Sequence, residues 1–442
     1  MKVRQLIPPV AVAAVLLPAQ AWGEKDGTVT NSERCISRQR RLVPARGLAR
    51  PDWRIVADVA IAMGFSSAFA YQHPHEVFLE HAALTAFEND GERKLNLHHL
   101  TTLDRSAYET LEPTPWPSGD RPFADHTFST PSRRAQFVPT PTGTGAAAAH
   151  DKEPFLLNSG RLRDQWHTMT RTGLVPRLTH HRDAPCVAMH PEDGAALGIE
   201  AGAVVEVSNA RGTVTLLAEI SDAQQPGQLF VPIHWTDQYA RNSTIAQLYG
   251  PCTDPVSGQP ASKTATVACR KVDVRWHVRL VSTDHEVPEA FRGAPFWCRT
   301  PWTDGWAFQA GVNDIDALVA ALPGETPASY RAAGEVRAQG RIAGQVVWLL
   351  HAVVDHRRLP ALESVLLRFR EGGGNWEGLS LLAAQGRDTS RLVCTCYEVR
   401  EDPIRQAIEA GAASVAELGT ALRCGTNCGS CRPELNRLLV ES

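Results

Sequence analysis

The sequence predicts a multidomain α/β protein. Its 442 residues correspond to about three domains of ordinary size. Two β-branched runs, Ala203–Ser208 and Thr213–Ile220, predict a strand-rich middle region, while the last fifty or so residues contain short apolar-periodic segments with helix-capping signals. A hydrophobic fraction of 43% and a charged fraction of 21% are typical of a globular chain with a sizeable core.

The charge balance indicates which partners to exclude. Forty-five basic residues face 48 acidic ones, which leaves a formal charge of −3. Nucleic acids and anionic membranes are usually bound by a basic stripe, and the sequence shows none. We therefore expect no nucleic-acid partner and no membrane partner.

The N-terminus resembles a signal peptide at first sight. Lys2 and Arg4 precede an apolar stretch, Leu6 to Leu17, and Ala19-Gln20-Ala21 could be a cleavage site. The stretch is too short for a transmembrane helix and is interrupted or bounded by three prolines. An exported protein stays an alternative, but crowded cysteines near the C-terminus favour a reducing, cytoplasmic location.

Local signals predict several elements before the cysteine-rich region. A helix is expected from Asp52, as its capping residue, to Met63, and residues 112–150 are expected to be a proline-rich connection with a domain boundary near 150. Pro191–Leu197 reads as a helix stopped by Gly198. The two β-branched runs are joined by Asn209-Ala210-Arg211-Gly212, a hairpin signal, and Gln228–His234 is predicted as a further strand.

Five of the ten cysteines fall within residues 394–431. They include the pairs Cys394-x-Cys396 and Cys428-x-x-Cys431, and each pair can place two thiolates on one iron of a [2Fe–2S] cluster. Structural zinc is the main alternative, although its familiar form uses two C-x-x-C knuckles. Two disulfides are disfavoured because C-x-C closes a strained ring. Cys424 is predicted to be a non-ligand, since four cysteines complete the site.

The segment around these cysteines predicts three helices. Asp402 is expected to be the N-cap of the first, with Pro403 in its first turn and Gly411 at its end. Ser414-x-x-Glu417 is a capping box for the second. Pro433 starts the third, whose buried face is formed by Leu435, Leu438 and Leu439. Gly425 and Gly429 would let amides approach the sulfurs, and the helix dipole would stabilise the thiolate of Cys431.

Two stretches, Val393–Cys396 and Gly425–Leu435, closely resemble the bacterioferritin-associated-ferredoxin-like [2Fe–2S] domain. In that family the cysteines matching Cys394, Cys396, Cys428 and Cys431 bind the cluster. The resemblance therefore implies these four residues as metal ligands and a small all-helical domain.

The middle region carries a second set of chemical groups. The run from Asn158 to Thr170 mixes arginine, tryptophan and histidine, which suit a planar heterocycle bearing phosphates. With the loop Thr253–Pro260, it resembles the molybdopterin-dinucleotide-binding domain of the dimethyl-sulfoxide-reductase superfamily, and particularly assimilatory nitrate reductases. The resemblance implies a double-psi β-barrel and these cofactor contacts: Gly160, Arg161, Trp166, His167, Thr168, Asp254 and Lys263.

The resemblance continues upstream, where Trp22–Arg34 is similar to an interior block near the pterin. It implies Asn31, Glu33 and Arg34 as further cofactor contacts. We therefore expect the following domains: 1–150, a partial molybdopterin oxidoreductase domain; 151–272, the dinucleotide-binding β-barrel; 273–390, a mixed α/β connecting region; and 391–442, the [2Fe–2S] domain.

The same family accounts for both ends of the chain and implies a function. Its complete members bind a molybdenum bis(molybdopterin guanine dinucleotide) cofactor and reduce nitrate to nitrite, with electrons arriving from a donor protein or reductase subunit through iron–sulfur centres. This sequence has neither the [4Fe–4S] motif nor the molybdenum-ligating cysteine of the family, so it resembles the C-terminal half, and no catalytic residue is assigned. We expect the chain alone not to reduce nitrate with a reduced viologen. The alternative is a non-catalytic electron-transfer or cofactor-binding protein.

Other polar groups fit structural roles. Three histidine groups, His73/His75, His98/His99 and His180/His181, lack a third ligand at useful spacing and are expected to be loop residues. Asp314 and Asp316 are expected to cap a helix rather than to act as an acid–base pair.

Overall fold

The computed structural model describes residues 15–117, 123–137, 139, 152–254, 257–263, 265–325, 328–372 and 390–441. The chain forms two compact units, Met1–Thr142 and Gly143–Ser442. The apolar N-terminal stretch up to residue 14, much of the proline-rich connection and the glycines at 373 and 374 lie outside the described residues.

The first unit combines a three-stranded antiparallel sheet with three helices. Its elements are β1 (Gly27–Thr30), β2 (Cys35–Gln39), β3 (Thr114–Pro115), α1 (Asp52–Ala62), α2 (Pro74–Ala86) and α3 (Arg105–Glu109). The predicted helix from Asp52 is confirmed, but Pro51 occupies the N-cap position. The Asp52 carboxylate instead pairs with Lys25 at 2.6 Å, so a long-range ion pair replaces the predicted cap.

A buried arginine forms ion pairs and a ring contact inside this unit. The Arg38 side chain is 1% exposed and forms ion pairs with Asp26 and Glu109, each at 2.9 Å. Its guanidinium lies 4.2 Å from the ring centroid of Tyr108, which is fully buried. Paired in this way, the charge is accommodated among apolar neighbours.

The second unit begins with a closed six-stranded barrel of strand order β4-β8-β5-β7-β6-β9. Its strands are β4 (Phe155–Gly160), β5 (Cys186–Met189), β6 (Val204–Asn209), β7 (Gly212–Ile220), β8 (Gln228–Pro232) and β9 (Ala265–Lys271), and helices α4 (Pro176–Thr179) and α5 (Pro191–Leu197) connect them. β4 pairs with β8, and β5 with β7, in parallel, whereas the remaining ladders are antiparallel. Alternate residues fill the interior, including Leu157, Val205 and Leu229.

The local predictions in the barrel are confirmed. β6 and β7 form the predicted antiparallel hairpin, and α5 ends at Gly198, whose φ of 62° is the left-handed conformation expected of a C-terminal glycine. β8 ends at Pro232, two residues before the predicted end.

The segment predicted as mixed α/β contains a six-stranded antiparallel sheet of order β11-β12-β10-β15-β14-β13. The strands are β10 (Trp276–Ser282), β11 (Phe296–Trp302), β12 (Gly305–Val312), β13 (Ala328–Ala332), β14 (Glu335–Ile342) and β15 (Gln345–Val353), with helices α6 (Glu289–Arg292), α7 (Ile315–Ala321) and α8 (Leu362–Arg370). Phe291 and Leu318, from α6 and α7, share one core with Leu280. Val365 of α8 belongs to a second core with Val281. Because side chains alternate along β10, the helices pack on opposite faces.

Asp314 caps α7, as predicted. Its carboxylate accepts hydrogen bonds from the backbone amides of Asp316 at 3.0 Å and Ala317 at 2.9 Å. These bonds satisfy donors that the first helical turn leaves unpaired.

Stability should fall in mild acid because of a buried histidine in this sheet. Burial, and to a smaller extent the nearby His356, lowers the pKa of His277 from 6.5 to about 4. The unfolded chain therefore binds more protons between these pH values, and up to roughly 3 kcal/mol of stability should be lost as the pH falls from about 6.5 towards 4. Urea unfolding at pH 7.5 and pH 5 should show a weaker pH dependence for His277→Gln.

The matched control for this prediction is His180→Gln, since His180 is exposed. That substitution should leave the pH dependence of unfolding unchanged. An identical pH dependence in His277→Gln and the unsubstituted protein would contradict the assignment.

The C-terminal module contains the three predicted helices and a small hairpin. Its elements are β16 (Leu392–Cys394), β17 (Val399–Arg400), α9 (Glu401–Glu409), α10 (Val415–Leu422) and α11 (Arg432–Glu441). The expectation of an all-helical module was wrong, because the segment leading to Cys394 is extended and pairs with β17. α9 begins before Asp402, with Arg400 at its N-cap, and the Asp402 amide bonds to the Ser390 hydroxyl at 3.0 Å.

The other helix signals of the module are confirmed. Ser414 accepts a hydrogen bond from the Glu417 amide at 3.2 Å, and the Glu417 carboxylate reaches back to the Ala413 amide at 2.7 Å. Leu435 and Leu438 of α11 are fully buried. Short 3-10 helices complete the description: Trp22–Glu24, His98–Leu100, Thr172–Leu174, Ile245–Leu248 and His356–Arg358.

Two further observations concern the whole described chain. No helix within the described ranges combines the length and the apolar character needed to cross a bilayer. All ten cysteines are described, and each is a free thiol.

Candidate functional site

The loop after β4 presents planar and cationic side chains to solvent. The Arg161 guanidinium lies 5.6 Å from the ring centroid of Trp166, which is 60% exposed. The His167 ring stands perpendicular to that indole at a centroid distance of 4.6 Å. Gly160 ends the strand, and a Cβ there would lie 2.7 Å from the Phe230 ring. These predicted site residues, with exposed Thr168, therefore form one surface suited to stacking and to phosphate.

A buried histidine that the sequence did not single out holds this loop. His234 is completely buried; its Nε2 accepts a hydrogen bond from the Leu162 amide at 2.8 Å, and its Nδ1 lies 2.6 Å from the His167 carbonyl. Burial lowers the pKa of His234. A neutral ring protonated on Nδ1 fits both contacts, so one imidazole joins the two ends of the loop.

The second predicted loop reaches the same end of β4. The Asp254 carboxylate accepts hydrogen bonds from the amide and hydroxyl of Ser257, at 2.7 and 2.9 Å. Further along, the Ser159 hydroxyl donates to the carbonyl of Ser262 at 2.8 Å. Ser159 precedes Gly160 and Ser262 precedes the exposed Lys263, so the two predicted cofactor loops are joined by this bond.

Asn31, Glu33 and Arg34 lie together in the first unit. They form the turn between β1 and β2, where the Asn31 side chain accepts bonds from the amides of Glu33 at 2.9 Å and Cys35 at 3.0 Å. Arg34 has a φ of 61°. Among the residues that the structure describes, its buried Nε has no hydrogen-bond partner, which leaves a donor for a ligand.

The four predicted cluster cysteines are brought together from the two ends of the module. The sulfurs of Cys396 and Cys428 are 3.3 Å apart, and Cys394 and Cys431, each 2% exposed, share one apolar cluster. Cys428 is exposed, whereas Cys396 is half-buried. One side of the site therefore faces solvent and the other faces the module core.

The thiols on the two sides of the site have pKa values shifted in opposite directions. A hydrogen bond from Ser430, whose hydroxyl lies 3.1 Å from the sulfur, lowers the pKa of the Cys428 thiol. Burial raises the pKa of the Cys431 thiol to about 11. The pKa of Cys431 is therefore shifted in the direction opposite to the one predicted from its place before a helix, although a hydrogen bond from Gly425 acts in the predicted direction.

Cys424 occupies a different environment. Its side chain is fully buried, and the thiol donates to the Leu418 carbonyl at 3.6 Å. Gly425 and Gly429 have φ values of 74°, so both adopt the left-handed conformation that a glycine-containing cysteine loop requires.

The histidine groups show structural contacts. His73 caps α2 by accepting a hydrogen bond from the His75 amide at 3.2 Å, and the His75 ring contacts the Leu103 carbonyl at 2.6 Å. Burial and the neighbouring Arg163 lower the pKa of His181 to about 4. Within the described part of the chain, no three His, Cys, Asp or Glu side chains surround the position of a single metal ion.

Comparison with known families identifies the class of this protein. Residues 155–266 match the "Molydopterin dinucleotide binding domain", residues 392–441 match the "BFD-like [2Fe-2S] binding domain", and residues 9–62 match "Molybdopterin oxidoreductase". The chain therefore carries two cofactor-binding domains of a molybdopterin oxidoreductase, one for a molybdopterin dinucleotide and one for a [2Fe–2S] cluster.

Among curated proteins, the chain is a homologue of nitrate reductases. It is 38% identical over 454 residues to nitrate reductase of Klebsiella oxytoca, an alignment that covers 97% of this chain and 50% of the relative. Nitrate reductase of Shewanella frigidimarina is 33% identical, over 60% of this chain and 31% of the relative. The alpha subunit of a formate dehydrogenase from Methanocaldococcus jannaschii is 30% identical, over 51% and 32%. The chain spans at most half the length of these relatives.

Proposed function

We propose that this chain acts as the C-terminal part of an assimilatory nitrate reductase, in which nitrate is reduced to nitrite. The observation that carries the proposal is the extent of the Klebsiella oxytoca alignment, which covers 97% of this chain. The formate dehydrogenase subunit aligns over only 51%. Nitrate is therefore favoured over formate as the substrate of the intact enzyme.

The barrel and the first unit supply the proposed cofactor contacts. Interleaved parallel and antiparallel pairing of the strands supports the double-psi topology and a dinucleotide-binding domain over residues 151–272. We assign cofactor contacts to these residues: Asn31, Glu33, Arg34, Gly160, Arg161, Trp166, His167, Thr168, Asp254 and Lys263. The exposed cations and ring faces fit phosphates and a planar base, and the Arg34 Nε, which has no partner in the described part of the chain, fits an acceptor.

Cys394, Cys396, Cys428 and Cys431 are the proposed ligands of the [2Fe–2S] cluster. Four cysteine sulfurs, with Cys396 close to Cys428 and Cys394 in contact with Cys431, suit a two-iron cluster, which supplies one-electron transfer when bound. The exposed Cys428 gives an external electron donor access to the outer side, while the buried Cys394 and Cys431 exclude water from the inner side. Electrons from a donor protein or reductase subunit would enter here. A reducing cytoplasmic location is proposed with it, because cysteine thiolates that bind a cluster persist in a reducing compartment.

Residues 1–150 are proposed to be part of the molybdopterin oxidoreductase domain, and residues 273–390 to connect the barrel to the [2Fe–2S] domain at 391–442. Large apolar side chains on and after α1 are exposed in the first unit, including Val56 at 59% and Met63 at 70%. Exposed apolar surface of this kind suits packing against further protein of the enzyme.

A segment exchange tests the proposed function. This chain would replace the aligned segment of the Klebsiella oxytoca nitrate reductase in a strain lacking that enzyme. We expect growth on nitrate as the sole nitrogen source and molybdenum in the purified chimera. A chimera that retains molybdenum and iron but oxidises formate and forms no nitrite would contradict the proposal.

A further inference from the structure

The barrel loop that carries the proposed dinucleotide contacts also touches the cysteine module. The Arg163 guanidinium donates to the Glu434 carboxylate at 2.6 Å and to the Val393 carbonyl. Val393 immediately precedes Cys394, and Glu434 lies in the first turn of α11, just after Cys431. A single side chain thus bridges the two cysteine segments from outside the module.

Asp164 makes the complementary contact. Its carboxylate accepts a hydrogen bond from the Thr395 hydroxyl at 3.0 Å, and Thr395 lies between Cys394 and Cys396. The Asp164 side chain is 9% exposed and also contacts Arg163 Nε at 3.3 Å and His181 Nδ1 at 3.5 Å. The two partners of Arg163 in the cysteine module, Val393 and Glu434, are likewise buried or nearly so. Water screens such contacts little, in contrast to an exposed surface pair.

We infer that Arg163 and Asp164 are positioning residues that hold the cluster-binding segment against the dinucleotide-binding loop and set the reduction potential of the cluster. Two residues separate Asp164 from His167 along one short loop that His234 fixes at Leu162 and at His167. The loop therefore joins the two proposed cofactor sites through covalent structure and a few short polar contacts. The inference rests on the proposed function in taking the four cysteines as cluster ligands.

The two side chains should move the potential in opposite directions. Reduction adds an electron to a cluster already surrounded by four thiolates, so nearby negative charge disfavours it and nearby positive charge favours it. Removing the Asp164 charge should raise the potential, and removing the Arg163 charge should lower it. Simple loosening of the module would shift both variants in the same direction or leave both unchanged.

The test is a redox titration of the [2Fe–2S] cluster in the full chain purified without oxygen, followed by electron paramagnetic resonance. Asp164→Asn is expected to shift the midpoint potential upward and Arg163→Met downward. The charge-preserving variants Asp164→Glu and Arg163→Lys should return the potential towards that of the unsubstituted protein. Measurement needs no molybdenum and no nitrate turnover.

Arg177→Met is the matched control, because Arg177 forms an exposed pair with Glu398 of the same module at 3.7 Å. It should leave the potential unchanged. Shifts of the same sign in Asp164→Asn and Arg163→Met, or none, would overturn the inference while leaving the cluster assignment intact. An unsubstituted chain without iron and sulfide would overturn both the inference and the proposed cluster. If Arg163→Met does not fold, the test rests on the isosteric variant Asp164→Asn. An upward shift of its midpoint potential supports the inference, and a downward shift or no shift overturns it.

Discussion

Replacing Cys428 by alanine is expected to abolish the iron–sulfur cluster. Cys428 is exposed, so its substitution removes a proposed ligand at little cost to the core. Three remaining thiolates cannot complete the tetrahedral sets of two irons, and the cluster should be lost or degraded. Visible absorption, the resonance signal of the reduced cluster and the iron and sulfide contents should all fall to near background in protein purified without oxygen.

Cys424→Ala is the matched control in the same loop. The Cys424 thiol is buried against the Leu418 carbonyl, so this change should cost about 1 kcal/mol of folding free energy and retain iron. The ligand assignment would fail if iron were lost from Cys424→Ala and kept by Cys428→Ala. Zinc, in place of iron and sulfide, in the unsubstituted protein would refute the electron-transfer role.

Trp348→Ala should destabilise the second unit by about 4 kcal/mol, because it removes a large side chain from a closed core. Trp348 is fully buried, and its indole nitrogen donates to the Pro323 carbonyl at 2.6 Å. The ring lies against Gly340, where a Cβ would be 2.1 Å from Nε1. Packing this close leaves little room for neighbours to collapse into the cavity. Urea unfolding monitored by circular dichroism measures the loss.

Trp166→Ala provides the comparison, since the same substitution is made at a side chain that is 60% exposed. Its cost should be less than about 1 kcal/mol. Under the proposed function, its effect should appear instead as weaker retention of the molybdopterin dinucleotide in the segment-exchange chimera. Equal losses of stability in the two tryptophan variants would contradict the packing described for Trp348.

Sequence patterns predicted those elements that are determined by neighbouring residues. The β6–β7 hairpin follows from a short turn between β-branched runs, and Gly198 ends α5 through its own backbone conformation. The six-stranded sheet could not be derived in this way, because β10 pairs with β12 and β15, which are distant along the chain. Asp402 illustrates the same limit on a small scale. Aspartate is a residue type typical of an N-cap, but the β16–β17 pairing makes α9 begin earlier.

The residues of the candidate site differ in the same way: local patterns predicted some of them, and long-range contacts determine the others. The cysteine spacing identified the four sulfurs that the structure brings together, and composition marked the exposed ring and arginine side chains after β4. His234, Arg163 and Asp164 were not predicted, because their roles depend on contacts between segments far apart in sequence. The burial of Cys431 is likewise a tertiary effect, and it reverses the pKa direction that its place before a helix had predicted.

The neutral imidazole of His234 has a consequence for ligand capture. Because His234 contacts the chain at Leu162 and at His167, the intervening residues lose much of their conformational freedom when the barrel folds. Under the proposed function, the nucleotide therefore binds residues whose conformational entropy was lost during folding, and more of each contact appears as affinity. The barrel loop is thus preorganised for nucleotide binding.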